Sequence, residues 1–353
     1  MHRFKLLLLI ALTAVTLTAA IPARAASAPA DHPRGVDPHA RAAWLEHYQD
    51  SRRGPEQTER FTQSYKVGAD SALDLQNLSG NVRVTAARGN EIRIEATKRV
   101  RHREADEAKR LLGELRIDVS QVGNRLEVRT IYPRMSGRGG LSASVDYVIS
   151  VPANTAVALK TISGDVTVAD VHGEVRAETT SGNVDVSATP NLASAKTISG
   201  NVTARSISAP ATLTLGTVSG SVIASALKVR AIDAGTVSGN VQLTDVHVER
   251  VDAKSVSGDI EFDARLAQGG RYAFNSHSGN VRIVLSGAPG FELDASTFSG
   301  SIRSDFPVTM RSTADSSGRD RRGLNRAIRG TYGDASAILS VRSFSGNVVI
   351  TKK

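Results

Sequence analysis

The chain contains no cysteine. That excludes disulfides, thiol catalysis, Cys-based metal sites and a lipoprotein anchor. Aromatic residues make up 4% of the 353 residues, with one Trp. A core here must therefore be aliphatic, and the stacking motifs of nucleic-acid binding are missing. After residue 20 no stretch is apolar enough to span a bilayer. The sequence signatures G-x-S-x-G, H-E-x-x-H, the P-loop and the calcium-binding G-G-x-G-x-D do not occur either.

What is present begins with Met1-His2-Arg3-Phe4-Lys5, an apolar run from Leu6 to Ala20 and an Ala-x-Ala site at Ala23, Arg24 and Ala25. A short basic start, about fifteen apolar residues and small residues at the cleavage site make residues 1–25 a secretory signal peptide. The expected location is the periplasm or the cell surface, with no transmembrane segment in the mature chain. Of the formal +9, Arg3, Lys5 and Arg24 leave with the peptide, so +6 remains. The densest basic cluster is Arg319, Arg321, Arg322, Arg326 and Arg329. It is the candidate contact for an anionic partner, such as an envelope glycan, an anionic surface or another envelope protein. Residues 26–60, with "PHARAAWLEHYQDSRRGPEQ", read as a helix and linker in which Trp44 packs locally.

The repeat decides the architecture. A Ser-Gly pair stands at Ser79, Ser163, Ser181, Ser199, Ser219, Ser238, Ser257, Ser278, Ser299 and Ser345, and from Ser163 to Ser299 the steps are 18, 18, 20, 19, 19, 21 and 21. A period near twenty signals a stacked array. Two residues after each Gly stands a β-branched apolar residue, such as Val166, Val184 or Val202, followed by alternating polar and apolar positions. That is a strand with one buried face. A second strand precedes each Ser, as in "VALKT", "LTLGT" and "VDAKS". The Gly predicts a corner at positive φ. The residue after it is Asn six times, Asp at Asp165 and Asp259, and Ser at Ser221 and Ser301, which suits a turn and would stack into ladders. The expectation is an all-β, single-chain parallel β-solenoid of about 18–21 residues per rung over 61–353. An antiparallel meander, the rival geometry, would not need identical corners at this period.

Two breaks interrupt the repeat. "VRVTAARGNEIRIEA" and "RIDVSQVGNRLEVRT" each carry Gly-Asn between alternating strands and predict hairpins. Between them a helix within 101–116 places Ala105, Ala108, Leu111, Leu112 and Leu115 on one face, expected to cover an edge of the stack. The Arg- and Gly-rich segment 305–338 reads as an extruded loop before a final rung ending in Lys352 and Lys353, expected as edge protection.

The ordered parts "LDLQNLSGNVRVTA", "IRIEATKRVR", "EADEAKRLLGELRIDV", "VDYVISVPANTAVALKTISGDVTV" and "SFSGNVVITKK" resemble the exported bacterial "putative adhesin" β-strand-repeat family, a domain of unknown function. The resemblance covers about residues 61–353. It implies an envelope location and a repeated β architecture, and it supplies no catalytic residues.

No catalytic, cofactor or metal site is expected from the residues themselves. Asp165 and Asp259 share a corner position five rungs apart, over ~20 Å at about 4.8 Å per rung, too far to act as a pair. His172 and His247 fall in return loops. His277 stands just before a Ser-Gly, where other rungs carry Ile162, Val256 or Phe298, and its expected neighbours, Val256 and Phe298, offer no carboxylate. The expectation is a non-catalytic, exported scaffold or adhesin-like surface. The alternatives are a polysaccharide-active parallel β-helix enzyme and a periplasmic accessory of an envelope signalling or assembly system.

Overall fold

The computed structural model describes residues 55–68, 70–133, 142–287, 289–310 and 326–353. The expected signal peptide, Trp44 and nearly all of the helix/linker segment lie outside them. Among the described residues there are 25 strands and one helix, and the strands join into one continuous, mostly parallel β-structure.

The rungs form as the alternation predicts. In the first, β2 (Ala72–Ser79) precedes the Ser-Gly corner and β3 (Val82–Ala87) follows it; next come β8 (Ala156–Ser163) with β9 (Val166–Ala169), and β10 (Val175–Ser181) with β11 (Val184–Ser187). Farther along, β15 (Val222–Ser238) and β16 (Val241–Ser257) each run unbroken from one Ser-Gly corner to the next. Val166, Val184, Val202, Val222, Val241, Ile260 and Val281 lie in register, one above the other. All seven are buried, as are Leu159, Ala177, Leu215 and Phe274 of the strands that precede the corners. No rung could cover that face alone, so the stack is the stabilising unit.

At the corner, Gly220 has φ +143°, and a Cβ built on it would overlap the carbonyl of Gly200 in the rung below. Just inside, a buried hydroxyl ladder ties each rung to its neighbour. Thr197, Thr217 and Thr236 each donate from Oγ1 to a Gly carbonyl, of Gly182, Gly200 and Gly220, at 2.9 Å. Thr161 occupies the same place, but its buried Oγ1 has no partner. A second corner comes four residues after the first buried Val. It is built from Asp170, Ala188, Ser206, Ala226 and Asp245, all left-handed at φ 50–60°. The sequence reading did not anticipate this corner, because none of its residues is Gly.

The N-terminal end differs from expectation in one pairing. β5 (Arg116–Val122) and β6 (Arg125–Ile131) form the predicted hairpin. β3 and β4 (Glu91–Arg101) do not pair: β7 (Ser142–Pro152) lies between them, parallel to β3 and antiparallel to β4. The Gly-Asn turn there reverses the chain with room for a third strand. β1 (Glu56–Lys66) then adds antiparallel to β4. Helix α1 (Ala105–Glu114) buries Ala108, Leu111 and Leu112 against β1 and β4. Tyr132 braces the first corner: its hydroxyl accepts from the Ser79 N–H at 3.0 Å and lies 2.9 Å from Asn77 Oδ1. Burial pushes its pKa up to about 12, so the proton stays in place for that bonding.

The C-terminal end departs further. The last rung in sequence, β24 (Ala337–Ser345) with β25 (Val348–Lys352), is not last in space. It lies between β18 (Arg271–Ser278) with β19 (Val281–Leu285) on one side and β20 (Phe291–Ser299) with β21 (Ile302–Ser304) on the other. The C-terminal lysines therefore do not guard an edge; Lys353 Nζ lies 2.9 Å from Asp263 Oδ2. Nor does all of 305–338 project from the stack. β23 (Arg326–Tyr332) runs antiparallel along β20, with β22 (Thr309–Met310) beyond it. Phe291, Phe306 and Tyr332 cluster beneath this cover, ring centroids 4.9–5.4 Å apart. At the N-terminal end β4 and β5 run antiparallel along the outermost parallel strands β7 and β6, and at the C-terminal end β23 does so along β20, which suits the hazard of an open parallel edge.

Candidate functional site

Strand parity builds the site. Along β8, Val157, Leu159 and Thr161 point inward, so Lys160 and Ile162 point outward. Ile162 is the last side chain before the Ser-Gly corner. Every corner Ser is paired in register with the next, in the spatial order Ser79, Ser163, Ser181, Ser199, Ser219, Ser238, Ser257, Ser278, Ser345, Ser299. The residues before them therefore align as one row: Leu78, Ile162, Thr180, Ile198, Val218, Val237, Val256, His277, Phe344 and Phe298. The eight apolar members are 42–52% exposed. A soluble surface rarely lines up this much apolar area without use.

Two polar rows flank it. Two residues upstream stand Lys160, Glu178, Lys196, Lys254 and Arg342, with Gly216 and Gly235 leaving a gap. On the other side the corner residues bond rung to rung. Asp165 Oδ1 accepts from the Asn183 N–H at 2.7 Å, Asn183 Oδ1 from Asn201 at 2.9 Å, and Asn201 Oδ1 from Ser221 at 2.8 Å. The chain of bonds continues through Asp259, Asn280 and Asn347 to Ser301. At the C-terminal end the row becomes aromatic. His277 stacks on Phe344 and Phe344 on Phe298, each at 4.9 Å with planes within 9°. Beside them the short side chains of Asn275 and Ser296 open a groove of about 540 Å³ between Lys254, Arg342 and the rings.

The inserted C-terminal rung corrects the surroundings of His277. Its neighbours along the row are Val256 and Phe344, not Val256 and Phe298. Among the described residues no group of three His, Asp or Glu side chains could hold a metal ion. Of the sequence-predicted contact residues, Arg319, Arg321 and Arg322 lie outside the described residues. Arg326 and Arg329 sit on β23 and bond within the chain: Arg326 Nη1 donates to the Gly300 carbonyl at 2.7 Å, and Arg329 Nε lies 3.1 Å from Asp294 Oδ1. The outward row was missed in the sequence, although parity alone places Ile162, Ile198 and Val218 on the solvent side.

The Toastrack DUF4097 family model matches residues 71–351. The chain belongs to that family. This Toastrack chain is similar to solved structures as well. One, from Bacteroides fragilis and named a "putative adhesin", is 12% identical, with 83% of this chain and 97% of that one covered and a TM-score of 0.38. Another, from Parabacteroides distasonis, is named a "Putative lipid binding protein"; the identity is 12%, the coverage 84% and 97%, and the TM-score 0.39. A third, a "putative cell adhesion protein" from Clostridium sporogenes, is 11% identical, with coverage of 84% and 100% and a TM-score of 0.21. No curated protein matches the Toastrack chain.

Proposed function

We propose that this chain is exported by residues 1–25 and acts in the bacterial cell envelope as a non-catalytic binding scaffold, with the outward row as its contact face. The observation that carries this reading is the row itself: eight apolar side chains left about half-exposed in one line, over ten in-register rungs. Covering one such side chain contributes ~1 kcal/mol, which does not hold a partner against the cost of association. Covered together they do, so the fitting partner is extended rather than a small molecule in a pocket. The Arg-rich stretch with Arg319, Arg321 and Arg322 is proposed as a second, electrostatic contact with an anionic partner, since charge there adds attraction that salt screens.

The test is a triple variant, Ile198→Ser with Val237→Ser and Val256→Ser. Binding to isolated envelope fractions is expected to fall at least about tenfold, a loss of ~1.4 kcal/mol or more, with the melting temperature unchanged. Unchanged binding removes the row from the proposal. Glycan turnover that is lost on changing His277 alone overturns the non-catalytic reading. Protease added to intact cells separates a surface location, where the chain is cut, from a periplasmic one.

A further inference from the structure

We propose that the outward row docks a second copy of this chain, the two solenoids side by side and parallel, about a two-fold axis that runs along the row. The inference rests on the reading of the row as a binding face and names what covers it: another copy of this chain, carried by the envelope fraction itself.

Three observations select a second copy. The first is charge placement. Lys160 and Asp165 belong to the same rung and stand on opposite sides of Ile162; Lys254 and Asp259 stand likewise about Val256. An axis along the row sets each rung against its own copy and exchanges the two sides. Lys160 then faces the other copy's Asp165, and Lys254 the other copy's Asp259. Glu178, the acid in the lysine row, meets the neutral Asn183. An axis across the row would instead lay the lysine row on itself. Lys254 now bonds its own Asp252 at 2.6 Å, but Lys254 is 57% exposed, so it is free to turn.

The second is area. Ten rungs give nine steps of about 4.8 Å, a row ~43 Å long. Five residues separate Lys160 from Asp165, so the two flanking rows bound a face up to ~15 Å wide at about 3.3 Å per residue. That covers ~650 Å² on each copy, or ~1,300 Å² in all, above the roughly 1,000 Å² that a specific interface needs. The third is near-neutrality. Four cations, Lys160, Lys196, Lys254 and Arg342, stand against three acids, Asp165 and Asp259 across the face and Glu178 in their own row. An anionic bilayer would gain little from that balance, whereas a self-complementary, isologous contact uses both signs.

The lack of native cysteine makes the test direct. Val218→Cys, Val237→Cys and Val256→Cys, each alone in the exported chain and mildly oxidised, are expected to give disulfide-linked dimers at all three rungs. An axis across the row would bring at most one of the three against its own copy. Asp165→Asn with Asp259→Asn keeps the Oδ1 acceptors of the corner ladder and removes only the charges. This pair is expected to weaken the dimer about tenfold at low salt and to flatten its salt dependence. A chain that sediments as a monomer at about 100 μM, weaker than any micromolar dimer, overturns the proposal, as does crosslinking at one rung only. A monomer that co-sediments with vesicles of phosphatidylglycerol and phosphatidylethanolamine, and stops doing so in the triple Ser variant, overturns self-docking and keeps the row as a binding face. If the triple Ser variant still dimerises, self-docking through the row falls; if it also keeps its hold on the envelope fraction, the binding-face reading falls with it.

Discussion

The two corners of a single rung answer the same need differently. The Ser-Gly corner uses Gly at φ +133° to +145° from Gly164 through Gly258, and the carbonyl of the adjacent rung sits where a Cβ would go. The second corner turns at φ 50–60° on Asp, Ala or Ser. A φ near +55° lies inside the small left-handed basin, which an L-residue enters for about 1 kcal/mol. A φ near +140° lies outside it, where a Cβ has no allowed place. The difference teaches that positive φ alone does not demand Gly. The demand comes from the extreme angle and from a neighbouring backbone stacked too close for any side chain.

That comparison can be broken experimentally, beginning with the largest effect. Gly220→Ala should destabilise the fold by more than about 4 kcal/mol, since the new methyl group forces Gly200 away and opens the ladder bonds on both sides. Thermal unfolding measures it; a shift no larger than that of Ser219→Ala would show that neither angle nor contact matters. Gly89→Ala separates the two causes. Gly89 also has positive φ, +116°, but nothing lies within 4 Å of a Cβ there. Its cost should be that of the angle alone, about 1–3 kcal/mol, and a loss equal to that of Gly220→Ala would make the collision irrelevant.

Smaller effects sharpen the contrast beside the first corner. Thr236→Val removes a 2.9 Å bond to the Gly220 carbonyl and should destabilise by about 1 kcal/mol in chemical denaturation. Thr161→Val removes a buried hydroxyl without a partner, so it should be neutral or stabilising by up to about 1 kcal/mol. Equal losses at the two positions would mean that the hydroxyl ladder contributes nothing. Smallest is Ala226→Gly at the second corner. Relief of the left-handed strain is offset by greater freedom of the unfolded chain, leaving a net gain between zero and about 1 kcal/mol. A clear loss of stability would place that corner under the same constraint as the first.

The same chemistry explains what could be read in the sequence. The first corner was legible because its residues recur at one rung position. The second was not, since Asp170, Ala188 and Ser206 share a backbone angle and no side-chain type. Strand order failed where it depended on identity: one Ser-Gly-Asn corner fits any other, so nothing in "SFSGNVVITKK" says that it stacks on Ser278 rather than beyond Ser299. The same holds for β7, because a Gly-Asn turn reverses the chain without naming the strand that fills the gap. Parity made the outward row readable from Leu78 to Phe298, but an apolar residue in a strand is taken for core unless its neighbours are counted. The Arg cluster carried the stronger signal in composition, yet two of its members are occupied with Gly300 and Asp294, which no count of charges reveals.

Corners of one kind also make the stack modular, since each rung meets the next through the same contact. A gene that gains or loses one copy of about nineteen codons by unequal recombination adds or removes one rung, and every remaining corner still meets a corner of its own kind. Length then changes in increments of about 4.8 Å, without a search for new contacts. The outward row lengthens with it, one residue at a time.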